Sequence, residues 1–271
     1  MPEDMIAGHR TAWRAWAHGP RPVLALHCSL AHAGAWGALA ERLEGVSVTA
    51  PDLPGHGRSA DWDGRQDLHG LSTRIADELA ARLGAGAPID LIGHSFGATV
   101  ALRLALERPE RVRSLVLIEP VLFAAARSAD DPAFGPFMAE HQAFARAQAE
   151  GRPEDAAAMF HGIWGTGAYA DLPDAQRRYI LHRIPLVVAQ SPVLLKDAAG
   201  MPAQMRLESL GVPVLLLEGG DSPPVIAAIQ GELCRRLPMV RRHVVPGAGH
   251  MVPITHAQAV AVAVNAHLAA S

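Results

Sequence analysis

The chain has 271 residues, of which 49% are hydrophobic and 19% charged, with a formal net charge of −3. That length suffices for one large domain, or for a core domain with a modest insertion, and the composition excludes a largely disordered chain. The slightly acidic balance, in which nearly all basic residues are Arg and none form a long run, speaks against nucleic acid or an anionic membrane as partner.

The N-terminal Met1-Pro2-Glu3-Asp4-Met5 is acidic where a secretory signal is basic, and no apolar stretch of membrane-spanning length occurs. Cys28 and Cys234 are too few and too far apart for a disulfide scaffold, so a reducing, cytoplasmic setting is expected. Thr11–Trp16 alternates polar and apolar residues and reads as an antiparallel edge strand. Val23–His27 follows as a buried strand, then helical spacing near 35–44, a strand at Val46–Ala50, a helix over 70–84 and a strand at Ile89–Ile92. A helix over 97–107 and a strand at Ser114–Ile118 complete the first half. From about Val121 to Gly200 only helical pieces appear, broken by Pro and Gly. Strands resume at Val212–Leu217 and Arg242–Val245, with helices over 223–237 and 255–269. This alternation is the pattern of βαβ units around a mostly parallel sheet, so the expected class is α/β. Residues 1–120 and 201–271 would form the core and 121–200 an inserted helical cap.

Gly93-His94-Ser95-Phe96-Gly97 joins the apolar run Ile89–Ile92 to the helical Ala98–Leu102. A G-x-S-x-G turn between strand and helix holds a serine on a sharp corner, beside helix-start N–H groups suited to a developing negative charge. Serine is a weak nucleophile without a base, so an acid and a histidine are expected later in the chain, in that order. His250, in Pro246-Gly247-Ala248-Gly249-His250, follows the last strand. Any one of fourteen histidines is weak evidence, but this one has the required position. Asp221 follows a strand in Glu218-Gly219-Gly220-Asp221-Ser222-Pro223-Pro224 and is the expected acid, although it also suits a helix N-cap. Glu119, directly after Ile118, is the rival, and Glu218 a weaker one.

These motifs, together with Asp52-Leu53-Pro54-Gly55-His56-Gly57-Arg58-Ser59, resemble in order the landmarks of the α/β-hydrolase fold superfamily over essentially the whole chain. The resemblance implies an eight-stranded sheet with a helical lid after the sixth strand, and Ser95, Asp221 and His250 as nucleophile, acid and base. The family often writes the acid loop as Gly-x-x-Asp; counted from Gly219, the fourth position is Ser222, which keeps Glu119 in contention. The family's His-Gly-x oxyanion loop reads His27-Cys28-Ser29 here, so the backbone N–H groups of Ser29 and Phe96 are the expected oxyanion donors. Phe123 and Trp164 from the cap, with His27 and Glu119 from the core, are candidates for the pocket wall. No histidine, cysteine or carboxylate cluster has metal-ligand spacing, and the Gly-rich segments match no nucleotide fingerprint, so neither metal nor cofactor is expected. The reading is a serine hydrolase acting on a small, largely apolar ester or thioester. C–C bond hydrolysis, lactone hydrolysis or perhydrolysis on the same triad, and a non-catalytic ligand-binding protein of this fold, are the alternatives.

Overall fold

The computed structural model describes residues 1–202 and 206–271; residues 203–205, inside the stretch expected to rejoin the core, lie outside the described residues. Eight strands form one sheet: β1 (Glu3–Ile6), β2 (His9–Ala17), β3 (Arg21–Leu26), β4 (Val46–Pro51), β5 (Ile89–His94), β6 (Val112–Ile118), β7 (Val214–Gly219) and β8 (Val240–Val245). Their order is β1-β2-β4-β3-β5-β6-β7-β8. Pairing is antiparallel between β1 and β2 and between β2 and β4, and parallel from β4 through β8. The eight strands and the mostly parallel arrangement match the expected class.

The helices are α1 (Gly37–Ala40), α2 (Leu68–Gly84), α3 (Phe96–Glu107), α4 (Phe123–Ser128), α5 (Phe134–Ala149), α6 (Pro153–Trp164), α7 (Asp174–Leu194), α8 (Pro224–Arg236), α9 (Val252–Thr255) and α10 (Ala257–Ala269). Because helices cover both sheet faces, the central strands are apolar without alternation; every residue of β5 and β7 is buried. Alternate side chains still go to opposite layers. Leu24, Leu26, Leu91, Leu115, Leu117 and Leu216 meet α2, α3 and α8, while Val23, Ala25, Ile92, Val116, Ile118 and Leu217 meet α1 and α10.

One expectation needs correcting. The strand read at Thr11–Trp16 is not the edge, because β1 lies outside it, joined through a two-residue turn in which Ala7 and Gly8 both have positive φ, at 51° and 76°. The first strand escapes pattern reading since only Ile6 of its four residues is buried.

Helices α4 to α7 all stand between β6 and β7, and residues 121–200 contain no strand. Helices α5 to α7 share a small core of Phe144, Ala147, Ala156, Ala157, Ile180 and Ile184, while α4 packs on α8 and α7 on α2.

Candidate active site

The β5–α3 corner carries Ser95 at φ 54° and ψ −116°, a conformation that costs a non-glycine residue energy and is held only because the surroundings leave no alternative. Its flanking glycines show why. A Cβ on Gly97 would lie 2.1 Å from the Leu26 carbonyl oxygen, and one on Gly93 would lie 2.4 Å from that of Gly97. The corner thus draws α3 onto β3 as only glycine permits. The Ser95 N–H donates to the Ile118 carbonyl at 2.8 Å, which ties the corner to the end of β6. One residue on, Glu119 (φ 52°) donates its own N–H to the Leu217 carbonyl of β7, also at 2.8 Å. Successive strand ends therefore fix both residues at one rim of the sheet.

Three side chains meet there. His250 Nε2 lies 3.0 Å from Ser95 Oγ, and His250 Nδ1 lies 2.8 Å from Glu119 Oε2. All three residues are buried, with Glu119 fully enclosed. The second carboxylate oxygen, Oε1, accepts from the Gly219 N–H at 2.6 Å and from the Ser222 hydroxyl at 2.7 Å. With both oxygens engaged, the carboxylate has a single placement facing the imidazole.

The carboxylate at His250 is accordingly that of Glu119 and not that of Asp221. Asp221 is exposed, and it is anchored through its backbone N–H to the Ala248 carbonyl at 2.8 Å. Ser222, at the fourth position counted from Gly219, serves as a donor to Glu119 instead of supplying an acid. Glu218 is also elsewhere, paired with Arg242.

His94, the variable residue of the corner, donates from Nε2 to the His250 carbonyl at 2.9 Å. Burial, aided by the neighbouring His250, pushes its pKa down to about 3, so the ring stays neutral and keeps that donor. Trp164 of α6 covers the other side of His250, its ring centroid 4.6 Å away.

Behind the serine runs the loop after β3. Ser29 lines the space in front of Ser95, whereas Leu30 adopts φ 62° and donates its N–H to His56 Nε2 at 3.1 Å. His27, expected in the pocket wall, lies beneath this loop: Nδ1 donates to the Cys28 carbonyl at 2.7 Å, and Nε2 accepts from the Leu53 N–H at 2.9 Å. Burial lowers His27 to about 4 and His56 to about 3, which preserves both neutral rings as acceptors. Glu119, also expected in the pocket wall, sits behind His250 and contacts neither space described below. Cys28 is buried with its thiol pushed up to about 12 by desolvation, so it is no nucleophile. The Phe96 N–H heads α3 and has no intrahelical acceptor, and the Ser29 N–H makes no hydrogen bond among the described residues.

Two spaces open from Ser95. A cavity of about 50 Å³ runs beneath α4 to α7 and is walled by Phe123, Phe137, Phe144, Trp164 and Leu194, with Gln190 among them. Phe123 and Phe137 stack at 4.1 Å. A wider cleft of about 650 Å³ leads outward past His250, Leu30, Tyr179, Met251 and Ile254. Phe123 and Trp164 stand in the wall of the cavity, while His27 and Glu119 line neither space.

The Asp52–Ser59 motif braces this rim. Asp52 accepts from the backbone N–H groups of Ala33 at 2.6 Å and Arg58 at 2.8 Å, and Tyr179 and Arg183 of α7 bond to the Ala31 and Gly55 carbonyls. No helix among the described residues is long and apolar enough to cross a membrane.

The sequence profile of the Alpha/beta hydrolase family matches residues 9–264. The chain belongs to this family. Among curated relatives, the lipase LipV of Mycobacterium tuberculosis is 38% identical over 107 residues, which is 38% of this chain and 39% of that protein. The pimeloyl-[acyl-carrier protein] methyl ester esterase of Nitrosomonas europaea is 29% identical, over 86% of this chain and 89% of the other. An esterase structure from Thermogutta terrifontis superimposes with a TM-score of 0.73 over 99% of this chain and 98% of that one, at 23% identity; it shows the shared alpha/beta hydrolase fold.

Proposed function

We propose that the protein is a serine carboxylic ester hydrolase acting on small, largely apolar esters through an acyl-enzyme, with Ser95 as nucleophile, His250 as general base and Glu119 as the orienting acid. The hydrogen-bonded series Glu119–His250–Ser95, at 2.8 and 3.0 Å, carries the reading. His250 Nε2 takes the Ser95 proton as the hydroxyl attacks the ester carbonyl, and the imidazolium then protonates the leaving alcohol. Water enters by the same route and releases the acid. Glu119 holds Nδ1–H in place and balances the transient imidazolium charge. The N–H groups of Phe96 and Ser29 are the donors for the tetrahedral oxyanion. Helices α4 to α7, within residues 121–200, act as the cap that walls the acyl-side cavity. Relatives named as lipase and esterase support an ester as substrate. Two cysteines without a disulfide suit the cytoplasm as the site of action.

The test is labelling with a fluorophosphonate followed by peptide mapping, alongside turnover of short-chain p-nitrophenyl esters. The expected result is a single adduct on Ser95 and hydrolysis that Ser95→Ala and His250→Ala both abolish. A protein that neither forms the adduct nor turns over any ester is a ligand-binding member of the fold, and the proposal fails.

A further inference from the structure

The cavity under the cap has a polar group that acyl transfer does not use. Gln190 of α7 is 1% exposed and stands in a wall otherwise dominated by aromatic and aliphatic side chains. Its Oε1 accepts from the Ser29 hydroxyl at 2.7 Å. Its Nε2, which carries two N–H donors, is buried and has no hydrogen-bond partner among the described residues. A buried amide donor left unpaired costs about 1–3 kcal/mol, and an apolar side chain of similar size would fill the same wall without that cost. The donor faces the cavity and is free to pair with an acceptor oxygen that a ligand brings there.

The cavity also limits what that partner is. Among its lining residues the only side chain that titrates near neutrality is His141, and burial lowers its pKa, so the wall supplies no positive charge at pH 7. A carboxylate would enter without a counter-ion, whereas a neutral carbonyl or ether oxygen would find the amide donor and otherwise apolar surroundings.

We propose that Gln190 is a specificity-determining residue whose Nε2 hydrogen-bonds a second, neutral acceptor oxygen on the acyl chain of the substrate, so that the preferred esters are those of oxo- or alkoxy-substituted acids. This rests on the reading of Ser95 as the acyl-accepting nucleophile. A site built to satisfy such an oxygen discriminates against the analogue that lacks it, because the analogue leaves the donor unpaired.

The experiment compares kcat/KM for p-nitrophenyl hexanoate with that for its 4-oxo and 5-oxo counterparts. In the unaltered protein at least one oxo ester is expected to exceed hexanoate by roughly tenfold or more. Gln190→Met, which removes both amide atoms, is expected to bring that ratio close to one. Ser29→Ala removes the hydroxyl on the other amide atom and is expected to retain the ratio, whatever it does to absolute rates. Gln190→Glu keeps an acceptor for Ser29 and loses the donor; it is expected to lose the ratio too, and it serves if the Met variant fails to fold. The proposal is overturned if neither oxo ester is preferred, if the ratio survives in the Gln190 variants, or if Ser29→Ala removes it as fully as they do. Failure of the hydrolase reading looks different: hexanoate itself is not turned over and Ser95 takes no label.

Discussion

At the scale of single residues, the exchange of Glu119 for Asp221 is the sharpest outcome. Both follow strands, both lie between Ser95 and His250 in the chain, and both sit in loops at the carboxyl ends of the sheet. Residue type and order therefore cannot separate them; what separates them is which carboxylate finds donors for its second oxygen. Glu119 finds the Gly219 N–H and the Ser222 hydroxyl, while Asp221 points to solvent. The one legible sign was that counting from Gly219 ended on Ser222. Glu119→Gln is expected to lower kcat by at least about 100-fold, since an amide no longer holds the imidazole in its working tautomer. Asp221→Asn is expected to stay within about threefold, as befits an exposed substitution away from the reacting groups. Steady-state kinetics on one p-nitrophenyl ester distinguishes them, and the reverse ranking would return the role to Asp221.

The buried histidines give a second expectation at this scale. His56, His69 and His94 are lowered to about 3 and His27 to about 4, each chiefly by burial. Above pH 6.5 they are neutral in folded and unfolded chains alike and contribute nothing to pH dependence. As pH falls below that value, the unfolded chain takes up protons that the folded one refuses, so stability drops by up to about 1.4 kcal/mol per pH unit for each histidine. Four such groups are enough to exhaust a typical stability of about 5–15 kcal/mol within a few pH units. Urea midpoints measured from pH 8 to 4.5 should be level at first and then fall steeply below about pH 6.5; a level profile throughout would contradict the buried neutral rings.

Among secondary-structure elements, the legible parts were those whose burial imposes a pattern. β3, β5, β6 and β7 read as apolar runs because helices cover both their faces, and the interruption after β6 read as helical because no such run occurs there. β1 was illegible for the converse reason, since three of its four residues face solvent. The wall of the cavity beneath α4 to α7 was only partly legible. Phe123 and Trp164 line the cavity, but nothing in the spacing of α7 marks Gln190 as the inward polar residue, because Pro185 and Pro192 interrupt that helix's period. Two glycine substitutions express the packing of the helices. Gly97→Ala forces a methyl group against the Leu26 carbonyl and is expected to cost more than about 2 kcal/mol, with loss of activity as α3 shifts. Gly231→Ala, inside α8 where an added Cβ meets nothing within 4 Å, is expected to raise stability by about 0.5–1 kcal/mol through helix propensity alone. Chemical denaturation of the two variants, side by side, checks both signs.

Across the whole molecule, the rim opposite the active site is closed by charge. Asp90, fully buried at the start of β5, binds Arg21 of β3 bidentately at 2.5 and 2.8 Å and accepts from Ser114 of β6 at 2.7 Å, and Arg21 also reaches the Leu268 carbonyl in α10. One carboxylate so joins three adjacent strands, and through Arg21 the C-terminal helix. Asp90→Ala strands a partly buried guanidinium and is expected to cost about 3–5 kcal/mol while leaving the distant triad geometry intact. A lowered unfolding midpoint with unchanged kcat at low temperature is the expected signature.

The helix α7 bears on this chemistry in another way. Tyr179, Arg183 and Gln190 fasten a single stretch of the cover to the strip of backbone around Ser29 and to the brace beside it. A displacement of α7 would pull on that strip, and with it on one of the two donors proposed for the oxyanion. On the proposed function, a change that loosens α7 is therefore expected to reach the oxyanion site as well as the wall of the cavity.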